Sequence, residues 1–296
     1  MKKNWIVAGA FGVLAAIVYF ASMADYAFPG ESARLLVLWS GLEVSKGVDY
    51  PLMSAFARLL GSGNLIAPVC GVIAVVTLFH LVASFVFWRT DDVMLPPSER
   101  SGISLVAASV AALVFLFSPA VRAAASHAEP RLFDFTWALL ACALVFPALR
   151  LPRVGHWLFP LSLGVMLAFG VCDSVVFLLL LPLYVVMVVA VAAQNEKRPY
   201  EPVFVLVVSA FAAFLGAMAC FGVDIEAVAA HAGGELRGYV GSVGWAFVAF
   251  FTVLPFLAAL LASGKAFAGQ NFVLWLFHGT LTFVSILSIA TPLSPS

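Results

Sequence analysis

The sequence predicts an all-α fold, a polytopic transmembrane helical bundle of about nine spans with two surface helices in its first outer loop. Three observations predict it. Of 296 residues, 64% are hydrophobic and only 10% are charged, where an average soluble domain carries about 25% charged residues. The mean hydropathy is +1.09, so a water-soluble core has no means of hiding the apolar surface. Apolar stretches of roughly 20 residues, the length that crosses about 30 Å of hydrocarbon, recur along the whole chain.

Taken in order, the spans are expected at 5–22, 65–88, 103–120, 132–149, 157–171, 175–193, 203–223, 243–262 and 272–290. Between them stand the breakers that helix connections need: Pro96-Pro97 with mixed charge in one inner loop, and Pro199 just ahead of Pro202 in another. Lys and Arg set the orientation. With the N-terminus cytoplasmic, the inner side carries Lys2, Lys3, Arg89, Arg100, Arg150, Arg153, Lys197, Arg198 and Lys265. The outer side carries Arg34, Lys46, Arg58, Arg122, Arg131 and Arg237, and the first three fall in one long loop, which the positive-inside rule weights little. The N-terminus is therefore expected inside and Ser296 outside. Lys2-Lys3, the apolar run after them and Ser22-Met23-Ala24 also fit a secretory leader. At about eighteen residues the run is long for one, and a retained helix is expected. Either way the stretch from Asp25 reaches the outer surface.

The formal net charge is +0 and the pI near 7.0, so no basic excess points to nucleic acid. Cys70, Cys142, Cys172 and Cys220 stand apart with no C-x-x-C spacing, which reads as packing or lipid-facing residues rather than zinc, redox chemistry or a disulfide framework. His80, His127, His156, His231 and His278 are equally scattered. No H-x-x-x-H or H-E-x-x-H pair places two ligands on one helix face, so zinc hydrolysis is not expected and no metal ligands are assigned, while use of a divalent metal stays open.

The outer loop 23–64 is about forty residues long, a length uncommon for structureless chain, so it is expected to fold. Residues 31–42 place Leu35, Leu38, Trp39 and Leu42 at i, i+3, i+4 and i+7 opposite Ser32 and Arg34. Residues 51–60 repeat the pattern with Leu52, Phe56, Leu59 and Leu60 against Ser54 and Arg58. Both read as helices lying along the membrane surface. Pro29-Gly30 turns into the first, and Gly61-Ser62-Gly63 releases the second into the next span.

A carboxylate at the bilayer centre costs roughly 2.5 to 3.5 kcal/mol on insertion scales, so acids collect at membrane edges. Asp25, Glu31, Glu43, Asp49, Glu129, Asp134, Asp173, Asp224, Glu226 and Glu235 all fall outside on this topology. Helix capping explains part of that bias: Asp173 before Ser174 reads as the N-cap of the sixth span, and Glu31 in a first turn favours the dipole.

The remainder of the pattern is more specific. Asp25-Tyr26-Ala27-Phe28-Pro29-Gly30-Glu31-Ser32-Ala33, followed by Tyr50-Pro51-Leu52 opening the second surface helix, resembles the first outer loop of the GT-C glycosyltransferases, most of all the bacterial membrane family related to protein O-mannosyltransferases. The family's Gly-Glu pair matches Gly30-Glu31. The Asp that precedes that pair in the family falls on Phe28, and its His-Pro-Pro-Gly falls on Lys46-Gly47-Val48-Asp49. The resemblance covers about the first 150 residues and implies an N-terminal module, 1–150, that includes the loop 23–64, followed by further transmembrane helices over 151–296. A second polar cluster fits the same picture: Phe117-Ser118-Pro119 ends the third span, and Arg122, His127, Glu129, Pro130 and Arg131 follow before Phe133-Asp134-Phe135.

What the resemblance implies is transfer of a sugar from a polyprenyl-phosphate donor to an acceptor protein or glycan on the outer face of a bacterial inner membrane. A lipid-linked donor presents its phosphate at the membrane surface, so a pocket there needs a carboxylate and cations to hold the leaving phosphate. Glu31 is the expected acid, with Asp25 or Glu129 second; Arg122 and Arg131 are expected on the phosphate, with His127 nearby and Arg237 a further candidate. Two rivals remain. One is a non-catalytic lipid-binding scaffold or envelope subunit. The other is a transporter, which calls for broken helices and midplane polar groups.

Overall fold

The computed structural model describes residues 2–24, 31–40, 50–61, 63–89, 96–150, 152–174, 176–194, 200–222, 224–226, 228–230 and 234. The expected spans at 243–262 and 272–290 lie outside the described residues. Among those described, the regular structure is entirely helical. Four helical stretches are long and apolar enough to cross a membrane: Asn4–Ala21, Gly63–Phe87, Pro97–Phe117 and Glu201–Phe221.

The chain separates into two compact units, one formed by Met1–Lys46 and Leu52–Phe146, the other by Gly47–Pro51 and Pro147–Ser296. The first begins with α1 (Lys2–Ala21), then α2 (Glu31–Trp39) and α3 (Pro51–Leu60). A 3-10 turn at Gly63–Leu65 leads into α4 (Ile66–Arg89). Next come α5 (Pro97–Phe117), α6 (Pro119–Ala125) and α7 (Pro130–Ala143). Helix α4 is the centre of this unit, packing against α1, α5, α6 and α7. Its Ala74, Val75 and Phe79 are fully buried. By contrast α1 and α5 each keep an apolar face outward, with Ile6, Val13 and Ile17 on one and Val106, Val110 and Val114 on the other, which is what lipid rather than water as solvent allows.

Prolines explain most of the differences between the expected spans and the helices. Helix α5 starts at Pro97, six residues before the expected 103, because Pro fits the first turn and Glu99 there complements the dipole. It stops at Phe117 rather than 120. Ser118 precedes Pro119, which steers it out of the helical region, to φ −57° and ψ 125°. The chain then restarts as α6. The fourth expected span, 132–149, divides into α7 and α8 (Val145–Arg150), since Pro147 has no N–H for the carbonyl four residues back.

In the second unit, α9 (Pro152–Asp173), α10 (Val176–Leu179), α11 (Leu181–Gln194) and α12 (Tyr200–Phe221) follow. Helix α9 extends beyond the expected 157–171 and tolerates Pro160 inside it. The sixth expected span divides at Leu180, yet Leu180 N–H still donates to the Val176 carbonyl at 2.9 Å and Tyr184 N–H to the Leu180 carbonyl at 3.1 Å. Pro182 has no N–H to donate, so the ladder is interrupted there while these two bonds persist on either side. The cap expected at Asp173 falls one residue later: the Ser174 hydroxyl accepts from Val176 N–H at 3.4 Å, and Asp173 ends α9 fully buried. Helices α9 and α12 pack closely, with the Ser209 hydroxyl donating to the Leu206 carbonyl at 3.1 Å and lying 3.5 Å from the Pro160 carbonyl.

Helices form where the two surface helices are expected, with a correction to their faces. Helix α2 ends at Trp39, short of the expected 42, and α3 covers the expected 51–60. Ser32 and Ser54, assigned by pattern to the water side, are buried, whereas Leu59, assigned to the apolar stripe, is 81% exposed. The reason is that α2 and α3 pack on protein as well as facing outward. Trp39 Nε1 donates to Ser54 Oγ at 2.8 Å, and Phe56 meets Phe133 and Trp137 of α7 at ring separations of 5.7 and 6.1 Å.

Candidate functional site

The candidate site is the end of the first unit where α1 stops, α4 starts, and α6 turns into α7. Three hydrogen bonds draw these segments together. The N–H of Ala24, just past α1, donates to the Ser126 carbonyl at 2.8 Å. The Asn64 side-chain amide, at the entry to α4, lies 3.4 Å from the Ala24 carbonyl as its donor. Deeper in, the Tyr19 hydroxyl, fully buried, lies 3.4 Å from the Leu116 carbonyl, released where α5 ends.

On this platform the α6 to α7 turn carries a compact charged group. Pro130 opens α7 with Glu129 as its extended N-cap residue, which places a carboxylate beside the positive end of the helix dipole. His127 Nε2 lies 3.5 Å from Glu129 Oε2, and Arg131 Nε lies 3.9 Å from Glu129 Oε1. Ser126 Oγ sits 3.3 Å from His127 Nδ1. The carboxylate is therefore bracketed by an imidazole and a guanidinium. With Arg131 55% exposed and Glu129 27%, the ion pair is solvent-screened and contributes at most about 1 kcal/mol to stability. Arg122, in the last turn of α6, is exposed and has no carboxylate within ion-pair distance among the described residues. Over residues 122–131 two guanidinium groups stand with one carboxylate.

The expected site residues are thus distributed unevenly. His127, Glu129 and Arg131 come together, and Arg122 stands on the preceding helix of the same connection. Glu31 is the first residue of α2, and its side chain lies outside what is described. Asp25 and Arg237 lie outside the described residues altogether. Sequence reasoning missed Asn64 and Ser126. An amide at the boundary of a span, where loop carbonyls need donors, was the available signal for Asn64. Ser126 contributes its backbone carbonyl, which no side-chain pattern reveals. Among the described residues no group of three or more His, Cys, Asp or Glu is gathered to hold a metal ion. The scan of family models finds no match, nor do the searches of curated proteins and of solved structures.

Proposed function

We propose that this chain is a membrane glycosyltransferase of GT-C type, taking a sugar from a polyprenyl-phosphate donor and passing it to a protein or glycan acceptor on the non-cytoplasmic face. On this reading the chain has about nine spans, a cytoplasmic N-terminus, and a home in a bacterial inner membrane. The observation that supports it most is the bond from Ala24 to Ser126. It joins the exit of the first span, from which the acidic loop departs, to the connection that bears Arg122, His127, Glu129 and Arg131.

The chemistry asks for a carboxylate to take the acceptor proton as its oxygen attacks the anomeric carbon, while the glycosyl-phosphate bond breaks and the leaving phosphate keeps the electron pair. Glu31 is assigned as that base. Arg122, which has no carboxylate to satisfy among the described residues, is assigned to the phosphate, where a guanidinium holds two oxygens at once. Arg131 adds charge from the other side of the turn, and Asp25 and Arg237 are carried as further members of the site. The donor is a substrate, and no resident cofactor is assigned.

One observation favours a non-catalytic lipid-binding scaffold instead: Glu129 is already engaged by His127 and Arg131, as a structural acid would be. The transporter reading gains little from the helix breaks, because two backbone bonds persist at Leu180, to Val176 and from Tyr184. Proteoliposomes holding the full chain, a polyprenyl-phosphate hexose and an acceptor fraction separate the first two. Glu31→Gln should abolish labelled sugar transfer at normal expression, and transfer at the wild-type rate would remove the catalytic assignment.

A further inference from the structure

Helix α3 presents an edge that the fold does not use. Met53, Ser54 and Ala57 are buried, Ser54 accepts from Trp39, and Phe56 rests on Phe133 and Trp137. Next to that satisfied face, Leu59 is 81% exposed, Leu60 is partly exposed, and Arg58 is exposed with no carboxylate at ion-pair distance among the described residues. An isolated Leu on a surface needs no explanation. Here it is paired with a cation at a defined height, because α3 ends at Leu60 and only Gly61 and Ser62 separate it from the Gly63–Phe87 stretch that is apolar enough to span.

We propose that the Arg58–Leu59 edge of α3 binds the outer surface of the bilayer, with Leu59 immersed at the acyl boundary and the Arg58 guanidinium on lipid phosphates. The edge takes Leu59 from the stripe selected by sequence periodicity and Arg58 from the side set opposite it; Leu52 and Phe56, the other end of that stripe, meet protein. Charge complementarity fixes the occupant. Phosphate headgroups offer the anion that Arg58 lacks among the described residues, and acyl chains offer apolar contact to the exposed Leu59, at the one depth where both occur together. Because Phe56 ties α3 to Phe133, two residues from Arg131, this contact also sets the height of the Glu129 and Arg131 turn at the headgroup layer. The contact itself does not depend on the glycosyl-transfer reading.

Site-directed spin labelling of the full chain tests it, with Cys220, the exposed cysteine, replaced by Ser and a nitroxide placed at Leu59→Cys. In vesicles of phosphatidylcholine with phosphatidylglycerol, the label should collide with oxygen more than with a water-soluble nickel chelate, at a depth shallower than a label at Val110→Cys in α5. Replacing phosphatidylglycerol by phosphatidylcholine should move the label toward water, and adding Arg58→Gln should erase that lipid dependence. High nickel access overturns the proposal by making the edge wet. Low access to both reagents overturns it too, since protein, a second copy or the rest of this chain, would then cover the edge. Lipid dependence that survives Arg58→Gln overturns the assignment of the phosphate contact to Arg58.

Discussion

Ala24 and Ser126, about a hundred residues apart in the chain, share a 2.8 Å backbone hydrogen bond that closes one end of the first unit. A bond of this kind contributes about 1 kcal/mol net. Ala24→Pro removes the donor. Thermal unfolding in detergent should show a loss of roughly 1 to 2 kcal/mol, and sugar transfer, if the proposed activity is right, should fall by more than the folded fraction does.

The Trp39 to Ser54 bond is the clasp between α2 and α3. Trp39→Phe and Ser54→Ala should each destabilise by about 1 to 2 kcal/mol, and the double variant should cost less than the sum of the singles, because each single strands the other partner. Strict additivity in a double-mutant cycle would mean that the two side chains do not interact in the membrane-bound protein.

Packing of α9 on α12 turns on Gly164. A Cβ there would meet Ser209 Oγ and would lie 2.7 Å from the Leu206 carbonyl oxygen and 2.9 Å from the Ala210 nitrogen. Two of those neighbours are backbone, so the helices must part. Gly164→Ala is expected to cost roughly 1 to 3 kcal/mol, whereas Gly216→Ala, in α12 and with nothing within 4 Å of its added carbon, should be neutral or slightly stabilising. Equal melting temperatures for the two variants would contradict the close approach.

Glu129→Gln separates fold from function. The carboxylate's pairs with His127 and Arg131 are partly exposed, so stability should change by less than about 1 kcal/mol. Donor affinity is the sensitive readout: freeing Arg131 from its carboxylate should lower the KM for a lipid-phosphate sugar, and Arg122→Gln should raise it. A large drop in melting temperature for Glu129→Gln would show that the turn is held by its charges rather than by the Ala24 to Ser126 bond.

Much of this architecture was legible in the sequence. Apolar length found α1, α4 and α12 to within a few residues, because a membrane span needs only enough hydrophobic surface and says so in composition. Helix α3 was located at its actual bounds by Pro51 at the start and Gly61 after the end, the latter in the left-handed region at φ +71°. Which way α3 faced was not legible. Periodicity selects one apolar side, but Ser54 is buried by Trp39, fifteen residues earlier, and a pairing across a loop leaves no local period. The helix breaks at Ser118, Leu144 and Leu180 are partly written in Pro119, Pro147 and Pro182, of which hydropathy takes no account. For the candidate site, the turn 126–131 was identified from its charges, while the clamp through Asn64 and Ala24 depends on a backbone carbonyl and a backbone N–H that every residue but proline supplies.

Gly71 gives the first unit a mechanical property. A Cβ at that position would stand 2.7 Å from the Tyr19 ring and 3.4 Å from the Cβ of Ala125, so α1, α4 and α6 touch at a single bare point on the central helix. Ala125 lies three residues beyond Arg122 on the same seven-residue helix. A side chain at this point on α4 would press at once on the tyrosine of the opening helix and on the short helix that carries Arg122.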